Sequence, residues 1–273
     1  MSISRRQFIK GISAASLVTL GGKILPVSAA DVLILQERSA LRFVVASDGH
    51  FGQKDTEYVA MHHKMLKEIN NFHKNHPLDF CVINGDLIHD DKSFLVPAKG
   101  VWDKLPVKYY VTKGNHDLVS DEYWKQVWGM PVNHEVVVGN NLLLFATTSN
   151  EKGEYLSPDL TWMKARLDAH ANAGSVFVFI HIPQTVWNKG GIETPAFFDL
   201  MKAHKNIRAV FHGHEHDQDG VKIVNKVPYM FDSHIGGNWG TSYKGFRVVE
   251  LTQEKGVLTY IMNPTEIINQ ESY

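Results

Sequence analysis

The 273 residues contain one cysteine, Cys81, so the chain cannot close an internal disulfide. It lies in the apolar run Phe80-Cys81-Val82-Ile83, where it reads as a small buried hydrophobe rather than a reactive thiol. No run of about 20 apolar residues is present, so the sequence offers no helix of bilayer-spanning length. Excess charge is also missing: 28 basic against 29 acidic side chains give a net of −1. A chain so balanced lacks the cationic surplus that coats nucleic acid by counterion release, and only a local basic groove would serve that purpose. Internal repeats, low-complexity stretches and interior linkers are absent as well. What remains is a composition 44% hydrophobic and 21% charged, enough to bury the core of one large domain.

The amino terminus stands apart. Ser4-Arg5-Arg6-Gln7-Phe8-Ile9-Lys10 resembles a twin-arginine export signal, with paired arginines, an aromatic and an aliphatic residue after them, and a closing lysine. Residues 11–22 follow as a short, weakly apolar stretch, and Val27-Ser28-Ala29 or Ser28-Ala29-Ala30 offers the small residues a signal peptidase reads. The plainer alternative is a disordered basic tail. The export reading divides the chain into a signal peptide at 1–30 and a domain at 31–273. It also implies a periplasmic or secreted protein, with the twin-arginine export machinery as a partner and no stable membrane anchor after cleavage. Losing Arg5, Arg6, Lys10 and Lys23 leaves 24 basic against 29 acidic groups, a mature net charge of −5.

From residue 41 onward, strand and helix patterns alternate. Leu41 to Ser47 reads as a strand, 58–74 as a helix with apolar residues at helical spacing, Leu78 to Asn84 as a strand, 93–103 as a helix, and Val107 to Val111 as a strand. A helix at 121–128, a hairpin of 134–138 with 142–147, a helix at 159–172, a strand at 176–182, a helix at 196–204 and a strand at 207–211 follow. Residues 219–262 read as a strand meander. Two βαβ units, a hairpin and a meander predict an α/β fold of two packed sheets flanked by helices.

Five short strings sit at the carboxyl ends of these strands: Asp48-Gly49-His50, Gly85-Asp86, Gly114-Asn115-His116-Asp117, His181 and Gly213-His214-Glu215-His216. That edge of an α/β sheet is where ligand-binding groups gather. The glycines permit sharp turns and close backbone approach. Carboxylate, amide and imidazole donors without thiolate suit Mn²⁺, Fe²⁺ or Zn²⁺. Taken alone, His116 and Asp117 would read as a turn cap. The four companion motifs favour a catalytic pair.

The pattern D-x-H, GD, GNHD, H and GHxH, over about residues 41–250, resembles the calcineurin-like metallophosphoesterases. The resemblance implies a four-layer αββα sandwich of two mixed β-sheets and two divalent metal ions. One ion would be held by Asp48, His50, Asp86 and His216, the other by Asp86, Asn115, His181 and His214, with Asp86 bridging. It further implies hydrolysis of phosphoesters by a metal-activated water, with His116 as general acid or charge stabiliser and Asp117 orienting it. Purple acid phosphatases carry a tyrosine three residues after the bridging aspartate, where this chain has His89, so a purple Fe(III) centre is not expected. No segment resembles the carboxyl-terminal substrate domain of the exported 5′-nucleotidases.

Substrate choice is less legible. Tyr155, Trp187-Asn188 and the loop His234 to Trp239 follow site-forming elements, and His89, Trp187 and Trp239 are candidates for a pocket rim around a small organic group. Core packing explains the aromatics equally well. The expected substrate is a small organic phosphoester, diesters slightly ahead of monoesters or cyclic nucleotides, with nucleic acid disfavoured by the mature charge. A protein-binding scaffold on the same fold is the alternative from another functional class, disfavoured because every ligand is present. If Arg5 and Arg6 direct export, replacing both with lysine traps active protein in the cytoplasm. Cell fractionation with an activity assay checks this, and unaltered export of the double variant would refute it.

Overall fold

The computed structural model describes residues 39–262 apart from positions 188 and 254, together with the backbone of two strands at 12–18 and 24–26. Arg5, Arg6, the small residues at 27–30 and Asn188 lie outside the described residues.

Two mixed sheets carry the fold. In the first, β1 (Ile12–Val18), β2 (Ile24–Pro26), β3 (Ser39–Ala46), β4 (Phe80–Asn84), β5 (Tyr109–Thr112), β12 (Phe246–Thr252) and β13 (Val257–Met262) are ordered β2-β1-β13-β12-β3-β4-β5. Strands β3, β4 and β5 run parallel, while β12 and β13 are antiparallel. In the second, β6 (His134–Val138), β7 (Asn141–Phe145), β8 (Ser175–Phe179), β9 (Ile207–His212), β10 (Val221–Val224) and β11 (Val227–Phe231) are ordered β10-β11-β9-β8-β7-β6. Here β7, β8, β9 and β11 are parallel neighbours. The expected meander is therefore two hairpins in different sheets, β10–β11 and β12–β13. The connection at 232–245 crosses from one sheet to the other.

Alternation along β3 shows why the layers form. Leu41, Phe43 and Val45 face the gap between the sheets, whereas Val44 and Ala46 face the helices. The gap is filled largely by phenylalanine: Phe43 stacks on Phe80 at 4.6 Å, Phe179 on Phe145 at 4.8 Å and on Phe211 at 4.9 Å, and Phe43 turns an edge toward Phe177, Phe179 and Phe211. Outside the first sheet pack α1 (Tyr58–Asn75), α2 (Leu95–Trp102) and α3 (Asp121–Trp128); outside the second pack α4 (Leu160–Ala169) and α5 (Pro195–Ala203). Helix α1 buries Met65, Leu66, Ile69 and Phe72 on one stripe. Ser120 caps α3 by accepting the Tyr123 N–H, and Gly129 ends it in the left-handed conformation. Helix, sheet, sheet, helix is the layer order expected from the motifs.

Cys81 is fully buried, and burial raises its thiol pKa, in keeping with an inert core residue. Beneath the motif-bearing edge a buried polar network joins the sheets. Asn84 at the end of β4 donates to Asp232 Oδ2 at 2.7 Å and to the Ile180 carbonyl at 3.2 Å, and accepts from Thr112 Oγ1 at 2.7 Å. Arg247 in β12 donates to the Phe231 carbonyl and to Thr259 Oγ1, and its Nε lies 3.8 Å from Asp232 Oδ1. Removing the guanidinium takes the donors from the Phe231 carbonyl and the neighbouring cation from Asp232, which keeps only its bond from Asn84, in a dry interior. Arg247→Met is therefore expected to cost about 3–5 kcal/mol of stability, measured as a lower midpoint in urea unfolding.

Candidate metal centre

All five motif strings meet at one end of the sandwich. Short turns leave β3, β4, β5 and β9, and the backbone enters the left-handed region at Asp48 (φ 54°), His50 (φ 46°), Asp86 (φ 50°) and His214 (φ 71°). Non-glycine residues seldom adopt this conformation, and its concentration at four expected ligands marks backbone strain held in place by the surroundings. Amide hydrogen bonds provide that restraint: Asp48 N–H to the Gly85 carbonyl at 3.1 Å and His50 N–H to the Asp86 carbonyl at 2.9 Å. Gly85 (φ 83°) and Gly114 are required for space. A Cβ on the first would lie 2.2 Å from His181 Nδ1, and on the second 2.2 Å from Asp86 Oδ1.

The expected ligands form two triads, each with its ligand atoms within 4.8 Å of one another: Asp48, His50 and His216, and Asp86, His181 and His214; His50, His89 and His116 form a third such group. Asp86 lies between them. Its Oδ2 is 3.1 Å from His181 Nε2 and 3.7 Å from His50 Nε2, while Oδ1 is anchored at 2.8 Å by the His116 N–H. His50 Nε2 and His216 Nε2 approach to 3.0 Å, and His216 Nε2 lies 3.3 Å from Asp48 Oδ1. The His214 N–H donates to both Asp48 oxygens at 3.0 Å, and Ser47 Oγ donates to Oδ2. His181 Nδ1 donates to the Asn84 carbonyl at 2.8 Å, which fixes the tautomer and aims Nε2 inward. Asn115 Oδ1 is buried with no hydrogen-bond partner.

Electrostatics prepare the same groups for a cation. Burial opposes ionisation of Asp48, but the His181 and His216 imidazoles outweigh it and bring its pKa down to about 2. Asp86 is also buried, and His181 holds it well below the usual carboxylate range. Burial works against a charge on His181, yet Asp86 and Asp48 raise its pKa to about 10. Burial keeps His50 neutral and lowers His214 to about 4. Ionised carboxylates and neutral imidazoles are the states that ligate metal, and the proton on His181 occupies the place a cation would take. The orphaned Asn115 oxygen and the convergent Nε2 atoms fit two divalent ions, with Asp86 shared.

The structure separates the two members of the expected catalytic pair. The Asp117 carboxylate accepts the N–H groups of Ile88 and Gly114 at 2.9 Å each and does not meet the His116 ring. Burial, with Asp86 nearby, raises its pKa to about 7. The carboxylate that does meet His116 is Asp90, whose Oδ1 lies 2.8 Å from Nδ1. His89 is no bystander: it stacks on His116 with centroids 4.8 Å apart, and its Nδ1 lies 3.1 Å from His50 Nδ1. Trp239, 40% exposed, stacks on His216 at 4.3 Å and lies 4.6 Å from His50, forming a roof over the first triad. Tyr155 sets an edge against His214 at 5.0 Å. Trp187 is not on this rim; it packs among Phe198, His212, Tyr229 and Phe231 on the outer side of the second sheet. Asn84, Asp232 and Arg247, which support the centre from below, belong to none of the motif strings. Their one visible signal was Asp232-Ser233-His234, a polar string after an apolar strand.

The family model described as calcineurin-like phosphoesterase matches residues 41–218. No curated protein sequence matches the chain. Among solved structures, a dimetal phosphatase from Danio rerio aligns with a TM-score of 0.67 at 14% identity, covering 84% of this chain and 98% of that one. "GAP50 the anchor in the inner membrane complex of Plasmodium" aligns at 0.61 and 17% identity, covering 85% and 87%. Purple acid phosphatase PPD1 from yellow lupin aligns at 0.61 and 12%, covering 85% of this chain and 52% of its own. At these identities the likeness is one of fold.

If Asp86, which lies between the triads, is ligand to both ions, Asp86→Asn is expected to lose both, whereas His50→Ala or His214→Ala loses one. Metal content after gel filtration checks this. Two ions retained by Asp86→Asn would rule out the shared ligand.

Proposed function

The chain belongs to the calcineurin-like phosphoesterase family and is a metal-dependent phosphoric ester hydrolase, and on that premise we propose that it hydrolyses small organic phosphoesters outside the cytoplasm, diesters ahead of monoesters. The observation that carries this reading is the two adjacent triads, with Asp86 of the second 3.7 Å from His50 of the first and the His116–Asp90 pair beside them.

Bound ions would supply Lewis acidity toward phosphoryl oxygens and activation of water for in-line attack. Asp48, His50, Asp86 and His216 would hold one, and Asp86, Asn115, His181 and His214 the other. Oxygen and imidazole donors favour Mn²⁺, Fe²⁺ or Zn²⁺, and His89 three residues after Asp86 leaves no phenolate ligand there. The chain's own chemistry then centres on His116. Asp90 accepts a hydrogen bond from Nδ1–H, so that His116 as an imidazolium can give its Nε2 proton to the departing ester oxygen and remain as the neutral Nδ1–H tautomer. Asp117 keeps the turn closed through the Ile88 and Gly114 amides and stands one step removed from the reaction. The imidazole faces of His89 and His116 and the indole of Trp239 offer apolar surface to an organic substituent, which supports a substrate larger than inorganic phosphate.

The Arg5-Arg6 box supports a route in which the chain folds and takes up metal in the cytoplasm before passing the twin-arginine machinery. Site affinity alone favours Cu²⁺ and Zn²⁺ over Mn²⁺ and Fe²⁺, so loading where metal supply is controlled protects the centre from the wrong ion.

His116→Ala is expected to keep both metals while losing roughly 10²–10⁴-fold in rate on an alkyl phosphoester. The loss should shrink for a p-nitrophenyl ester, whose leaving group needs little protonation. Asp90→Ala should show the same leaving-group dependence with a smaller loss, whereas Asp117→Asn should lower stability without it. Steady-state rates on both esters, with unfolding curves, decide among these. The substrate class is tested by profiling Mn²⁺-loaded protein on mono-, di- and cyclic phosphoesters. A strong monoester preference would reverse the ranking, and activity on oligonucleotides alone would end the small-substrate reading.

A further inference from the structure

At the end of the sandwich away from the metal centre lies a cavity of about 590 Å³. Strand β9 joins the two, starting at Ile207 in the cavity wall and ending at His212, beside Gly213-His214, so its six residues at ~3.3 Å each set them about 20 Å apart. The floor is apolar and buried, formed by Ile207, Val227, Pro228 and Val257. The rim carries five cations and no carboxylate among the described residues: Lys202, Lys205, Arg208, Lys226 and Lys255. None of the five has a carboxylate within ion-pair distance among the described residues. In a chain of net charge −1, this is a local concentration of positive charge that the total conceals.

Two further observations show the rim to be built. Arg208 is half-buried and oriented, with Nε donating to Ser175 Oγ at 3.2 Å and Nη2 to the Gly174 carbonyl at 3.2 Å. Burial lowers its pKa, and no carboxylate among the described residues offsets the cost of its charge. Lys226 and Lys255 occupy hairpin turns at φ 70° and φ 63°. Glycine or asparagine is the ordinary occupant of such left-handed turn positions, and lysine there carries strain. Both strained lysines line the same cavity.

We propose that this cavity binds a small organic molecule bearing two or more phosphates, its apolar body on the floor and its phosphates among the lysines and Arg208. Five cations without a carboxylate partner among the described residues call for more than one negative charge, and ammonium and guanidinium groups are general phosphate binders. The volume suits one nucleotide-sized ligand. A concave, apolar-floored cavity does not suit a long polyanion, which needs an extended basic strip. The site is separate from the hydrolytic centre and serves to hold or sense its ligand.

The test is isothermal titration of the full-length, metal-loaded protein with α,β-methylene ADP, comparing wild type with Lys226→Asn/Lys255→Asn. Asparagine suits the left-handed turns, so the double variant removes two charges while easing the backbone. The expected result is a salt-sensitive binding site in the wild type that weakens at least about tenfold in the variant, with p-nitrophenyl phosphate turnover unchanged. Identical binding by both proteins, or no binding by the wild type, overturns the proposal. Sedimentation with phosphatidylglycerol vesicles provides the second arm. Vesicle binding lost in the variant while nucleotide binding is unaffected would assign the cations to a lipid surface and overturn the small-ligand site. Failure of binding at the metal centre alone leaves this site intact and counts against the hydrolytic reading instead.

Discussion

Two ionised carboxylates, Asp48 and Asp86, lie side by side in a region closed to solvent, and the geometry at that end of the molecule follows from keeping them there. A buried carboxylate is costly unless cations and N–H donors surround it. Here the donors come from four separate turns: His214 N–H and Ser47 Oγ to Asp48, His116 N–H and the His181 ring to Asp86. Delivering them at hydrogen-bonding distance forces left-handed backbone at Asp48, His50, Asp86 and His214. Those turns are affordable because rigid, phenylalanine-packed sheets fix both of their ends. Divalent ions bound there would take over the role of the protonated His181, which couples metal binding to local stability at this site.

The network under the centre extends this dependence into the fold. Asn84 precedes Gly85-Asp86 and bonds both Thr112 of its own sheet and Asp232 of the other. His181 is oriented by the Asn84 carbonyl. A shift between the sheets would therefore move Asp86 and His181 together. The 232–245 connection adds a third tie, passing from β11 past His216, where His234 packs at 4.4 Å, before entering β12.

Much of this was legible in the sequence, for identifiable reasons. Metal ligands must be particular residue types, and the loops that present them need adjacent glycine, so short strings survive as signals. Strand alternation at 41–46 and helical spacing at 62–72 report burial directly. What sequence could not supply was the destination of side chains across turns. Asp117 follows His116 in the chain, yet the left-handed residue Asp90 (φ 63°), 26 positions earlier, supplies the carboxylate that meets the ring. Trp187 and Trp239 looked alike as loop aromatics, and only the packing of the second sheet claims the former. The two carboxyl-terminal hairpins read as one meander because local periodicity records which face of a strand is buried, not which sheet it joins. The expected strand start at 78 and helix end at 172 were also too generous, since β4 begins at Phe80 and α4 ends at Ala169.

Trp239 has a spectroscopic consequence. The chain contains six tryptophans, and Trp239 alone among the described ring contacts lies against imidazoles of the candidate metal centre, parallel to His216 within 10° and tilted over His50. An indole in van der Waals contact with a ligand ring senses whether that ring carries a proton, a lone pair or a paramagnetic ion. Its emission would thus report on occupancy of the first triad, against a background that includes Trp102 and Trp124 deep in the helical layer.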